Sequence, residues 1–77
     1  MRTNTTQFEN SHGKAPRGRG NWWLRVVGVN GDGRPVTVET NGEGTLTEVR
    51  KACVDDFKRE NSSHKGLARV NEVIVLP

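Results

Sequence analysis

The sequence predicts a small α+β domain: a mainly antiparallel sheet of three or four strands with one helix packed on one face. Three observations predict it. Residues 22–29 and 35–40 are β-branched or alternating runs on either side of a turn-forming Asn30-Gly31-Asp32-Gly33. Thr45 and Glu48 form a T-x-x-E helix-start signature ahead of apolar residues at helical spacing. Residues 69–76 are nearly continuous in Val and Ile before Pro77, as in a strand buried on both sides.

Along the chain, the Thr-rich start (MRTNTTQFE) admits a short edge strand containing Phe8. Residues 10–21 (NSHGKAPRGRGN) read as loop, because Gly and Pro punctuate them closely. In the strand at 22–29, Trp22, Leu24 and Val26 share one face, while Trp23 and Arg25 share the other. The turn at 30–33 closes a hairpin onto 35–40, with Val36 and Val38 on one side and Thr37 and Glu39 on the other. Asn41-Gly42-Glu43-Gly44 is expected to break that strand. Leu46, Val49, Cys53 and Phe57, with Ala52 beside them, make the apolar stripe of the helix. The helix is expected to end between Asn61 and Gly66, and the last strand to lie centrally in the sheet. The order is β-β-α-β, or β-β-β-α-β if the front segment pairs. Residues 1–21 are then a basic Gly/Arg-rich N-terminal segment and residues 22–77 a single α+β domain.

The chain has 77 residues, of which 31% are hydrophobic, so its core is small and near the lower limit for independent folding. Its net charge of +3 is uneven. Up to residue 25 the basic side chains are Arg2, Lys14, Arg17, Arg19 and Arg25 against Glu9 alone, whereas the remainder is slightly acidic. Such a front segment suits a polyanion or an acidic protein surface. Cys53 is the sole cysteine, which excludes an intrachain disulfide and favours a reducing compartment. Neither a signal peptide nor a membrane span is visible, so a cytoplasmic protein is expected, with no membrane partner.

Catalytic readings find little support. Cys53 with His12 or His64 has the types of a nucleophile and base, but it falls in the helix's apolar stripe, where cysteine acts as a small hydrophobe. Asp55, Asp56 and Glu60 lie at surface-pairing distance from Lys51, Lys58 and Arg59. Asn30, Gly31, Asp32, Gly33 and Glu39 match five positions of a calcium loop. However, Gly28 stands where the first ligand belongs, and strands flank the loop instead of helices. Gly42-x-Gly44 before a helix suits an anion, yet Glu43 would repel it. The expectation is a non-enzymatic chain without metal or cofactor.

The segment HGKAPRGRGNWW carries the functional reading. Pro16-Arg17-Gly18-Arg19 resembles the core of an AT-hook, which lays an Arg-Gly-Arg ribbon in a narrow minor groove; Gly20 replaces the Pro expected next. Trp22 and Trp23 add either a two-sided core, with Trp23 packed under the front segment, or one buried indole and one exposed stacking platform. The pattern His12-Gly13-x-x-Pro16-Arg17-Gly18-x-Gly20-x-Trp22, with a closing Val75-Leu76-Pro77, resembles a group of small bacteriophage-encoded proteins. That resemblance implies a phage context, a host-cytoplasmic location and a front strand pairing with 22–29, but no active site. Trp23, Arg25 and Thr37 on one sheet face are also similar to the arm-type DNA-binding domains of phage integrases, although those place three strands before the helix and none after it.

Three readings follow. The first is a nucleic-acid-binding accessory protein using Lys14, Arg17, Arg19, Trp23 and Arg25. The second is an inhibitor of a host protein acting by occlusion through an edge strand or exposed tryptophan. The third is a minor virion or assembly protein, which predicts a homo-oligomer.

Overall fold

A computed structural model describes all 77 residues. The elements are β1 (Arg2–Asn4), α1 (Thr6–His12), β2 (Arg19–Val29), β3 (Pro35–Thr45), α2 (Leu46–Asn61) and β4 (Arg69–Val75). They build an α+β fold around a four-stranded sheet in the order β1-β4-β2-β3. Strand β2 pairs antiparallel with both β3 and β4, and β1 runs parallel to β4. The sheet is therefore mixed at one edge, and the last strand is central as expected. It is not buried on both sides, however, since only Val70, Val73 and Val75 face the core and Ile74 on the other face is half-buried.

Three expectations about the front half are corrected. Phe8 belongs to a helix and not to an edge strand, because the first strand ends at Asn4. The Asn4 side chain accepts the Thr6 N–H at 3.0 Å, and Gly13 ends the turn at φ 72° by donating its N–H to the Glu9 carbonyl. Strand β1 pairs with residues 72–74 of β4 and not with residues 22–29. The loop is accordingly shorter than expected, since α1 runs to His12 and β2 begins at Arg19.

Asn41-Gly42-Glu43-Gly44 does not break β3. Trp22 pairs with Gly42 and Gly20 with Gly44, so the ladder continues to Arg19 and Thr45. Glycine fits both positions: a Cβ at Gly42 would come within 3.3 Å of Val49 on α2, and Gly44 has φ 137° and would meet the Glu48 carboxylate. The Trp22 indole N–H donates to the Gly44 carbonyl at 3.0 Å. Thr45 then caps α2 as expected, its hydroxyl accepting the Glu48 N–H at 3.2 Å.

Helix α2 buries Val49, Cys53, Val54 and Phe57 on the sheet; Ala52, expected beside the stripe, is exposed, and Val54 takes its place. The sheet contributes Trp22, Leu24, Val26, Val70, Val73 and Val75, and Ala68 joins them from the loop before β4. Val70 and Val73 are three residues apart yet both buried, because the β2–β4 register slips between Val27 and Gly28. Val27 faces Glu72 while Gly28 faces Val70, which leaves Asn71 as the extra residue of a bulge.

Gly28 lies at the closest approach in the sheet. A Cβ there would run into the Arg69 carbonyl and come within 3.1 Å of the Phe57 ring. Gly28→Ala is thus expected to lower stability by about 1–3 kcal/mol, the usual cost of overpacking. Gly20→Ala, whose Cβ would meet nothing within 4 Å, is expected to shift it by less than about 1 kcal/mol. Urea unfolding followed by tryptophan fluorescence measures both.

Candidate nucleic-acid interface: the open sheet face and the basic loop

Only one face of the sheet is covered. Helix α2 lies over it, and α1 extends the cover at one end, where the Phe8 ring packs on Trp22 with centroids 5.4 Å apart and stacks on His12 at 4.2 Å. Strand alternation sends the neighbouring side chains of β2 to the other face. Trp23, Arg25 and Val27 stand there beside Asn41, Glu39 and Thr37 of β3 and beside Ile74 and Glu72 of β4. Of the two tryptophans, Trp22 is buried and Trp23 is 51% exposed, so Trp23 does not pack under the front segment.

Trp23 occupies a central strand. The Leu76 N–H donates to its carbonyl at 2.9 Å, which lays the chain end alongside it. Half-buried Ile74 and Leu76 make this part of the face apolar. Asn21 and Asn41 border it on the β3 side, joined by an amide hydrogen bond of 3.1 Å. These four residues were absent from the sequence-derived site. Alternation gives their faces, but their nearness to Trp23 depends on strand order and register, which no local pattern encodes.

The five sequence-derived residues divide into two groups. Lys14 and Arg17 lie exposed in the six-residue loop 13–18, and neither forms an ion pair. Arg19 and Arg25 do. Arg19 pairs with Glu48 at 3.2 Å across the start of α2, and Arg25 pairs with Glu39 at 3.0 Å across the β2–β3 ladder. Both carboxylates are exposed, so each pair contributes little to stability, but each cation is partly neutralised before any ligand arrives. The Arg17-Gly18-Arg19 step is also not a free ribbon. Gly18 turns the chain at φ 78°, and Arg19 is already paired with Thr45 in the sheet. The groove-lying geometry of an AT-hook would require β2 to release its first residues.

The residues considered for other chemistry are engaged in structure. Asp55 pairs with Lys51 and Asp56 with Arg59 on the outer surface of α2. The Asn30 side chain of the calcium-like loop accepts the Asp32 and Arg34 N–H groups at 2.9 and 3.0 Å, which closes the hairpin turn. Among all 77 residues no cluster of three or more His, Cys, Asp or Glu side chains could hold a metal ion. No helix is long and apolar enough to cross a membrane.

Cys53 is buried between α2 and the sheet. Desolvation raises its pKa above the ordinary 9.0, Thr40 opposes this by a hydrogen bond, and the nearby Asp56 charge adds to the rise. The folded chain therefore keeps the thiol proton at pH values where the unfolded chain releases it. Stability should fall as pH rises above 9.0, because there the native state binds more protons than the unfolded state. Cys53→Ala should flatten that part of the curve, measured by urea unfolding between pH 7 and 10. Coincident curves would contradict the assignment. No protein-family model matches the chain, and no match is found among curated proteins or among solved structures.

Proposed function

We propose that the chain is a non-catalytic nucleic-acid-binding accessory protein, of phage origin as the HGxxPRGxGxW resemblance implies. In this reading a single-stranded segment lies on the open sheet face, with one base stacked on Trp23 and its phosphates reaching Lys14 and Arg17. The observation that carries the reading is the half-exposed Trp23 on the uncovered face of a central strand, which begins next to a loop with two unpaired cations. An aromatic ring stacks on any base, and unpaired cations release counterions when they meet phosphate. Asn21 and Asn41 add side-chain amides able to bond base edges or sugar hydroxyls. Arg19 and Arg25 contribute to the extent that phosphate displaces Glu48 and Glu39.

A second reading, occlusion of a host protein, is favoured by one observation. The Trp23 surroundings are apolar through Ile74 and Leu76, and Arg25, two residues along the same face of β2, is already matched by Glu39. A tryptophan flanked by aliphatic residues and an arginine is also the composition of a protein-binding hot spot.

The test is fluorescence anisotropy with labelled single- and double-stranded 12-mers of DNA and RNA over a salt series. Trp23→Ala should weaken single-strand binding by about 5- to 150-fold, the loss of one stacked base. Lys14→Ala/Arg17→Ala should flatten the salt slope by about 1.4, two phosphates on a single strand. Affinity no better than millimolar, or independent of salt, would overturn the reading. Unchanged nucleic-acid affinity in Trp23→Ala, with binding to a purified host protein lost, would establish occlusion instead.

A further inference from the structure

The largest cavity of the molecule, about 520 Å³, lies on the side away from Trp23, between the last turn of α2 and β4. Met1, Leu67, Ala68 and Val70 give it an apolar lining, Lys58 and Arg69 supply charge, Ser62 completes it, and no acidic residue faces it. Met1 is 65% and Leu67 82% exposed; with Trp23 they are the only large hydrophobic side chains left so open. Neither Lys58 nor Arg69 has an ionic partner. On the other side of Met1 a second depression is lined by Val54, Arg50, Lys51 and Asp55. Asp55 is paired with Lys51, while the Arg50 guanidinium rests on the Met1 sulfur at 3.9 Å and has no ionic partner.

The strand beside this cavity is incomplete. β1 pairs with residues 72–74 and Met1, in the same parallel register, comes next beside Asn71, so β4 has no neighbour on that side at residues 69 and 70. An exposed strand edge offers unpaired N–H and C=O groups to any extended chain. The same stretch thus presents main-chain hydrogen-bonding groups, apolar side chains and unmatched positive charge.

We propose that this groove binds an extended acidic segment of a partner protein, which adds to β4 at residues 69 and 70, beyond Met1 and in line with β1. Strand alternation then decides what its side chains meet. Those on the α2 side enter the cavity over Leu67, Ala68 and Val70, the faces that Met1 and Leu67 leave open to water. Acidic side chains reach Lys58 and Arg69 at the cavity and Arg50 farther along α2. A basic segment would meet three unmatched cations, and a wholly polar one would leave the apolar lining wet. The occupant is therefore acidic with alternating apolar residues. This site is separate from the proposed nucleic-acid face: the cavity opens on the α2 side of the sheet and Trp23 on the other, and Arg69 pairs with Val29, about 20 Å along β2 from Trp23.

The probe is a pool of acetylated hexapeptides that alternate Asp or Glu with Leu, Val or Phe, titrated into the full ¹⁵N-labelled chain. The control pool carries Lys or Arg in place of the acids. The acidic pool should shift the amides of residues 67–71 and leave Trp23 unmoved. Lys58→Glu/Arg69→Glu should weaken that binding about tenfold or more, as loss and reversal of paired charge does at an interface. Both side chains are exposed, and unchanged Trp22 fluorescence verifies that the variant is folded. Leu67→Ser should weaken binding without altering its salt dependence. Three results would overturn the proposal: no shift at residues 67–71, equal binding of the basic pool, or displacement of the peptides by a single-stranded 12-mer or by phosphatidylglycerol vesicles.

Discussion

Alternation at two adjacent tryptophans is the constraint on which the rest of this molecule depends. The chain has cover for one sheet face only, so Trp22 and Trp23 cannot both be buried. A slip of one residue in β2 would exchange them, together with every other side chain of the central strand. Trp22 is held inside by a directional bond as well as by area. Its indole N–H has one acceptor, the Gly44 carbonyl, and that carbonyl is in reach because β3 continues through the two glycines at 42 and 44. Phe8 then closes over the ring from α1. The identity of the outward face, and hence of any partner met there, follows from which tryptophan is satisfied.

The back half of the chain was legible because its signals are local. The turn at 30–33, the cap at Thr45 and the helical stripe each involve residues within one turn or one hairpin, where sequence spacing determines geometry. The front half was not, for two physical reasons. Its helix is short and has no buried residue, so no apolar periodicity announces it; what stabilises it is Phe8 meeting Trp22, a contact fourteen residues away in sequence. Its strand is three residues long and pairs with the last strand, about seventy residues later, a choice that only strand order decides. Glycine misled in the other direction. The pair at 42 and 44 looks like a breaker, but within β3 one glycine leaves room for Val49 of α2 and the other adopts φ 137°.

The candidate site was legible by residue type and not by ionic state. Four arginines and a lysine in the first 25 residues read as one positive segment, yet Arg2, Arg19 and Arg25 are matched by carboxylates that lie 72, 48 and 39 residues along the chain. Only Lys14 and Arg17 remain unpaired in that group. Sequence-local charge sums therefore overstate the positive field at the front of the molecule.

They understate it at the opposite end. Beyond residue 25 the chain is slightly acidic in sum, but several of its acids are spent on Arg2, Arg19, Arg25, Lys51 and Arg59. Arg34, Lys58, Lys65 and Arg69 are left unpaired around the hairpin turn, the end of α2 and the loop that follows it, where the Gly31 N–H donates to the Asn61 carbonyl of α2 at 2.8 Å. An elongated body of 42 by 20 by 16 Å thus carries unmatched positive charge at both ends. That separation exceeds the screening length of about 8 Å at physiological ionic strength several-fold, so the two ends act on their ligands independently. What distinguishes them is the apolar chemistry alongside: a flat aromatic ring on an open sheet at one end, and a recessed aliphatic groove beside a free strand edge at the other. The first shape suits a stacked base and the second an extended peptide, so a single small fold offers two chemically separate contact surfaces.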